Sequence, residues 1–224
     1  MRVLAIAASP GRIAATRVVL LPGAYQEPED FHRAGFAAAV AQRGLAIDLA
    51  LVAPELAHLQ DRSVLDALHH TVIAPARAAG CRVWLGGVSL GGYFALAYAA
   101  ERAVDLDGLC LLAPYLGNRM ITGEIAAAGG VGRWRPGKLA ANDEERRIWS
   151  LIQRRHAERL ALHLGIARSD RFGHGHRLLA AALPPGAVDV VDGGHDWPAW
   201  LRLWERFLDR QTAGGTRPHP SLVA

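Results

Sequence analysis

The sequence predicts an α/β architecture, a mostly parallel central sheet with helices on both faces. Three observations predict it. Short apolar runs alternate with stretches of helical spacing along most of the chain. The runs are apolar at successive positions rather than at alternate ones, the pattern of strands covered on both faces and paired in parallel. Residues 82–100 read as strand, sharp turn and helix, with glycine pairs on either side of a single serine, Ser89.

In chain order, residues 1–10 have the apolar look of a leader, but the run is short and Arg12 and Arg17 soon follow. The first strand is 16–21, where Val18, Val19, Leu20 and Leu21 run into the turn pair Pro22-Gly23. A helix follows over 28–41, with Phe31, Phe36, Ala39 and Val40 at helical spacing and Gly44 just past its end. Residues 45–52 are the next strand. The helix over 61–79 presents Val64, Leu65, Leu68, Val72 and Ile73 on one face and kinks at Pro75.

The third strand leads into Ser89. Gly87-Val88-Ser89-Leu90-Gly91 matches G-x-S-x-G, in which a serine is held exposed on a tight turn between strand and helix. Bulkier residues at 87 and 91 would collide with the crossing elements. The plainer alternative is a closely packed turn with Ser89 as a helix cap.

A strand over 106–114 follows. From 115 to 155 the periodicity weakens, broken by Gly117, Gly123, Gly129, Gly130, Gly132 and Gly137, until a helix over 143–155. Then come a strand at 161–166, a helix at 177–183 and a last strand at 187–191. The final helix runs from 197 to about 209 with Trp200, Leu203, Trp204 and Phe207 inward, Asp196 as cap and Pro198 in its first turn. Residues 211–224 are polar and rich in Gly and Pro, a flexible tail that leaves 1–210 as a single domain.

Composition supports that division. A chain of 224 residues with 51% hydrophobic and 21% charged content buries enough surface to dispense with disulfides or metal. Cys81 and Cys110 sit in apolar surroundings as small hydrophobes, which suits a reducing cytoplasm. The net charge of +4 comes from arginines scattered along the chain, with Lys138 the single lysine and no basic stripe interleaved with aromatics, so no nucleic-acid partner is expected. No run is long enough to span a bilayer, so no stable membrane insertion is expected. Nothing in the sequence sets the oligomeric state.

Sites in parallel sheets lie at the carboxyl ends of the strands. That rule selects the residues that could meet Ser89: Arg168-Ser169-Asp170 past one strand, and Asp192-Gly193-Gly194-His195 past the last. A serine hydroxyl needs a base within hydrogen-bond reach, and the base needs a carboxylate to hold its tautomer. His195 and Asp170 supply these roles. Asp192 lies on the histidine's own loop and can hardly reach around to the other ring nitrogen. His174 and His176, flanking the helix start at 177, are expected in solvent, and His69, His70 and His163 on helix faces or a strand.

The chain order Ser89, Asp170, His195, with the turn at Ser89 and the Gly-Gly-His-Asp-Trp loop, resembles the α/β-hydrolases, in particular small esterase- or lipase-like members. The resemblance covers the chain from Arg17 to the last helix. It implies an oxyanion hole made by the backbone N–H of Leu90 and one from the loop Pro22-Gly23-Ala24-Tyr25, with Ala24 as donor and Tyr25 the fallback. Pro22 stands where many relatives carry histidine. It also implies a small cap or lid insertion over about 115–155, and a cleft lined by Tyr25, Leu90, Tyr115, Leu116, Trp134 and Trp197. Arg119 or Arg133 is then placed to meet a carboxylate or phosphate. The implied activity is hydrolysis of a small or medium carboxylic ester or thioester through an acyl-enzyme, with no cofactor and no metal. The alternatives are amidase, lactonase or peptidase chemistry on the same three residues, or a non-catalytic binding protein.

Overall fold

The computed structural model describes residues 1–55, 63–140, 142–154 and 160–214. Its strands are β1 (Arg2–Ile6), β2 (Thr16–Leu21), β3 (Ile47–Ala53), β4 (Arg82–Val88), β5 (Gly108–Leu112), β6 (Ala161–Ala167) and β7 (Val188–Val191). They form one sheet in the order β1-β3-β2-β4-β5-β6-β7. Every neighbouring pair is parallel except β1 with β3.

The absence of alternation in the apolar runs follows from burial on two sides. Val19 and Leu21 of β2 join one hydrophobic cluster with Leu85, Leu109 and Leu111. Val18 and Leu20 join the other with Leu49, Leu51, Val88 and Leu112. Each such side chain fully removed from water stabilises the fold by about 1.5–3 kcal/mol.

The helical stretches differ from the sequence reading in informative ways. The helix expected over 28–41 is two, α1 (Pro28–Arg33) and α2 (Phe36–Gln42), because Gly35 takes φ +93 between them. The turn lets Phe31 and Phe36 meet edge to face at 5.0 Å. Of the helix expected over 61–79, residues 61 and 62 lie outside the described residues; the remainder is α3 (Val64–Leu68), a π-helical turn (His69–Ile73) and α4 (Ala74–Ala78). Pro75 has no N–H to give and its ring crowds the preceding turn, so the chain widens into the π-helical turn just before it.

Ser89 leads into α5 (Leu90–Arg102). Within 115–155, where only one helix was expected, α6 (Arg119–Ala127) and α7 (Glu144–Arg154) both form. Asn118 caps α6 by accepting from the Met120 and Ile121 N–H groups, at 2.8 and 3.2 Å. The buried face of α7, Ile148, Trp149 and Ile152, packs on the same cluster as α5. The helix expected at 177–183 is α8 (Gly173–Ala181). The last, α9 (Trp197–Gly214), is capped by Asp196, whose Oδ1 accepts from the Ala199 N–H at 3.0 Å. It takes in the first four residues of the expected tail; 215–224 lie outside the described residues.

A strand at 2–6 was not anticipated. Asp48, 5% exposed on β3, accepts hydrogen bonds from the Ala8 and Ala14 N–H groups at 3.0 Å each and pairs with Arg17 at 3.5 Å. These bonds fold the segment after β1 back on the sheet. Among the described residues no helix is long and apolar enough to cross a membrane.

Candidate active site

The carboxyl end of the sheet is where the backbone is strained. Tyr25 after β2, Ser89 after β4 and Ala113 after β5 are the non-glycine residues with positive φ among those described, at +62, +52 and +49. Each such residue costs about 1–3 kcal/mol and persists only where its surroundings hold it. At Ser89 they do so through the backbone. Its carbonyl accepts from the N–H groups of Gly92, Tyr93 and Tyr115 at 3.1, 3.3 and 2.8 Å, and its own N–H donates to Leu112 at 3.2 Å.

The flanking glycines make room. A Cβ on Gly91 would overlap the Leu21 carbonyl oxygen and lie 2.7 Å from that of Pro22. One on Gly87 would overlap the Leu21 oxygen and approach Gly91 to 2.8 Å. The N–H groups of Leu90 and Gly91, at the start of α5, have no acceptor among the described residues. They lie at the positive end of a helix beside the serine.

Asp170 and His195 come together from the loops after β6 and β7. His195 Nδ1 donates to Asp170 Oδ2 at 2.7 Å, which leaves Nε2 as the lone-pair nitrogen. Nε2 is buried and has no hydrogen-bond partner, and no hydrogen bond joins His195 to Ser89 among the described residues. The ring is held edge-on between Phe172 and Trp200, at 4.9 and 5.0 Å. Burial by itself would raise the Asp170 carboxyl, but the His195 hydrogen bond and the Phe172 N–H outweigh it and hold the group below the usual carboxylate range. Asp192 points away, into solvent, and pairs with Arg168 at 3.0 Å.

Three backbone and ring contacts relate this pair to the serine. Tyr115, whose N–H holds the Ser89 carbonyl, has its ring 5.5 Å from that of Phe172, and Phe172 touches His195. His176, expected in solvent, is 1% exposed. Its Nε2 bonds the carbonyl of Pro114 at 2.9 Å, one residue before Tyr115, and burial pushes the imidazole below its ordinary value against the pull of Asp170. The signal was in the register: Gly175, His176, Leu179 and Leu183 fall on the inner face of α8 and its extension. Gln26 was also missed. Its Oε1 accepts from the Gly23 N–H at 2.9 Å and shapes the loop after β2.

The expected cleft residues separate. Tyr115 and Leu116 line a cavity of about 500 Å³ with Phe172. Leu90 is half-buried behind Ser89. Tyr25 takes φ +62 and projects fully into solvent, outside the lining of that cavity. Trp134 is core, 1% exposed, with its indole N–H donated to Glu124 at 2.7 Å. Trp197 stacks edge-on with Phe31, Phe36 and Trp200 rather than facing that cavity. Ala24 is exposed, and neither its N–H nor that of Tyr25 has an acceptor among the described residues. Arg119 lines the cavity; Arg133 lies off it, beside Gly129.

A parallel sheet with one antiparallel edge strand, a strained serine after the central strand and a hydrogen-bonded Asp–His pair two and three strands away define the α/β-hydrolase fold, and this chain has it. No protein-family model matches the sequence, and no curated protein matches it. Solved structures do. An S-formylglutathione hydrolase from Staphylococcus aureus aligns over 88% of this chain and 81% of its own, with TM-score 0.63 at 13% identity. Fluorophosphonate-binding serine hydrolase F of the same organism aligns over 93% and 97%, with TM-score 0.61 at 11% identity. A monoacylglycerol lipase from Paleococcus ferrophilus aligns over 96% and 100%, with TM-score 0.54 at 15% identity. At these identities the likeness is one of fold.

Proposed function

We propose that the protein is a serine hydrolase that cleaves a small or medium carboxylic ester or thioester through an acyl-enzyme. Ser89 Oγ attacks the carbonyl carbon while His195 Nε2 takes its proton. Asp170 keeps the imidazole in the Nδ1–H tautomer and stabilises the imidazolium. The Leu90 N–H and a second from Ala24, or Tyr25 in its stead, receive the oxyanion. The proton then passes to the leaving oxygen or sulfur, and water repeats the sequence on the acyl-enzyme.

The observation that carries this reading is the 2.7 Å Asp170–His195 bond on the rim that bears the strained Ser89. It leaves the basic nitrogen unpaired, and catalytic contacts of this type commonly tighten only when substrate is bound. Solved structures of the same fold are named as an S-formylglutathione hydrolase, a ferulic acid esterase and a monoacylglycerol lipase, which agrees with ester chemistry. A fluorophosphonate probe is expected to label Ser89, and Ser89→Ala to lose both labelling and hydrolysis of p-nitrophenyl butyrate. Turnover that persists in that variant overturns the mechanism.

A further inference from the structure

The cavity of about 500 Å³ shares Tyr115 and Phe172 with the surroundings of Ser89 and His195, and has a character that no step of the proposed chemistry requires. Its volume is that of a small-molecule site. Tyr115, Leu116 and Phe172 make an apolar floor, and two of these reach the active residues directly: Tyr115 through its N–H on the Ser89 carbonyl, Phe172 through its ring against His195. The wall is cationic. Arg119 and Arg171 both line it, and neither pairs with a carboxylate among the described residues. Arg171 instead lies over the Phe172 ring, 4.9 Å from its centre.

Most other arginines for which contacts are recorded have an anionic partner: Arg146 has Glu124 and Asp143, Arg210 has Asp189, Arg77 has Asp107, Arg102 has Asp66. Arg119 and Arg171 instead bring two guanidiniums without a carboxylate partner among the described residues to the lining of one cavity. Among the described residues no acidic side chain lines the cavity. The neighbouring Glu145 is turned to Asn118, accepting from its backbone N–H at 3.0 Å and its side-chain amide at 2.8 Å.

We propose that this cavity is the subsite for a carboxylate-bearing arm of the substrate, with Arg119 and Arg171 receiving the carboxylate and Tyr115, Leu116 and Phe172 the chain that leads to it. The proposal rests on the ester-hydrolase reading and narrows its substrate class to half-esters and other esters carrying a second, free acid. Guanidinium–carboxylate pairs are charge-assisted and directional, so the acid is recognised over a methyl end of equal length.

The test compares the mono-p-nitrophenyl ester of adipic acid with p-nitrophenyl hexanoate, which share a six-carbon acyl chain. The expected result is a kcat/KM ratio of about tenfold in favour of the half-ester at low salt, shrinking as salt screens the arginines, and falling to about one in R119Q/R171Q. A ratio near one in the unaltered protein overturns the proposal, as does a preference that survives the double substitution. Titration calorimetry of both esters into Ser89→Ala separates the two claims. Tighter binding of the half-ester there, with neither ester hydrolysed by the unaltered protein, upholds the subsite and sinks the hydrolase reading. Equal binding of the two sinks the subsite whatever the turnover.

Discussion

The Ser89 corner and the Asp170–His195 rim are held by opposite means. The corner is fixed by the main chain: three N–H groups on one carbonyl, a strained φ, and two glycines whose missing side chains admit a crossing strand. The rim is fixed by side chains, one charge-assisted bond and two aromatic edges. A change of atoms at the rim should therefore alter chemistry and leave the fold, whereas added bulk beside the corner should damage the fold itself.

Four substitutions in the chemistry and the backbone, and one in the core, sharpen that contrast. Ser89→Ala, which keeps the corner's backbone, should lower ester turnover by at least about a thousandfold with a melting temperature close to that of the parent. Asp170→Asn should lower kcat by about a hundred- to ten-thousandfold, since the imidazole is then held in the wrong tautomer, again in a folded protein by circular dichroism. Gly91→Ala should reverse the pattern: its Cβ meets two carbonyl oxygens, and urea denaturation should show about 3 kcal/mol or more of lost stability.

His163 gives an effect of similar size that depends on acid. It is buried beside Phe207 with neither ring nitrogen hydrogen-bonded, and burial pushes it down to about 4 from an ordinary value near 6.5. The unfolded chain therefore takes up a proton at a higher pH than the folded one. The folded state is favoured fully above pH 6.5 and loses up to about 3 kcal/mol as pH falls to about 4. His163→Gln should flatten that limb of the stability curve in urea titrations across the same range. The smallest effect is the control for bulk: a Cβ at Gly123, inside α6, meets nothing within 4 Å, so Gly123→Ala should gain about 0.5–1 kcal/mol.

The same division explains what could be read from the sequence. The corner was legible because its geometry demands glycine at fixed offsets, and glycine is visible in a sequence. Asp170 and His195 were legible through topology: each follows a strand that ends on the corner's rim. Side-chain packing was not. His176 looked like a flanking polar residue because its partner is a backbone carbonyl 62 residues away. Tyr25 looked like a wall because an aromatic beside a site suggests contact, whereas its ring stands fully in solvent. The strand β1 was missed because its run is brief and partly exposed, as an antiparallel edge allows, and α6 because its interior glycine reads as a break.

That edge strand also sets a limit on how the protein can be shortened. β3 is buried along Ile47–Val52, and β1 alone covers its outer side, pairing from Arg2↔Ala53 to Ile6↔Leu49. Deleting the residues before Thr16 would uncover a row of amides and carbonyls on an apolar ribbon, an invitation for another copy to dock by strand addition and grow into aggregates. A cut inside this leading arm would turn a protected margin into an adhesive one.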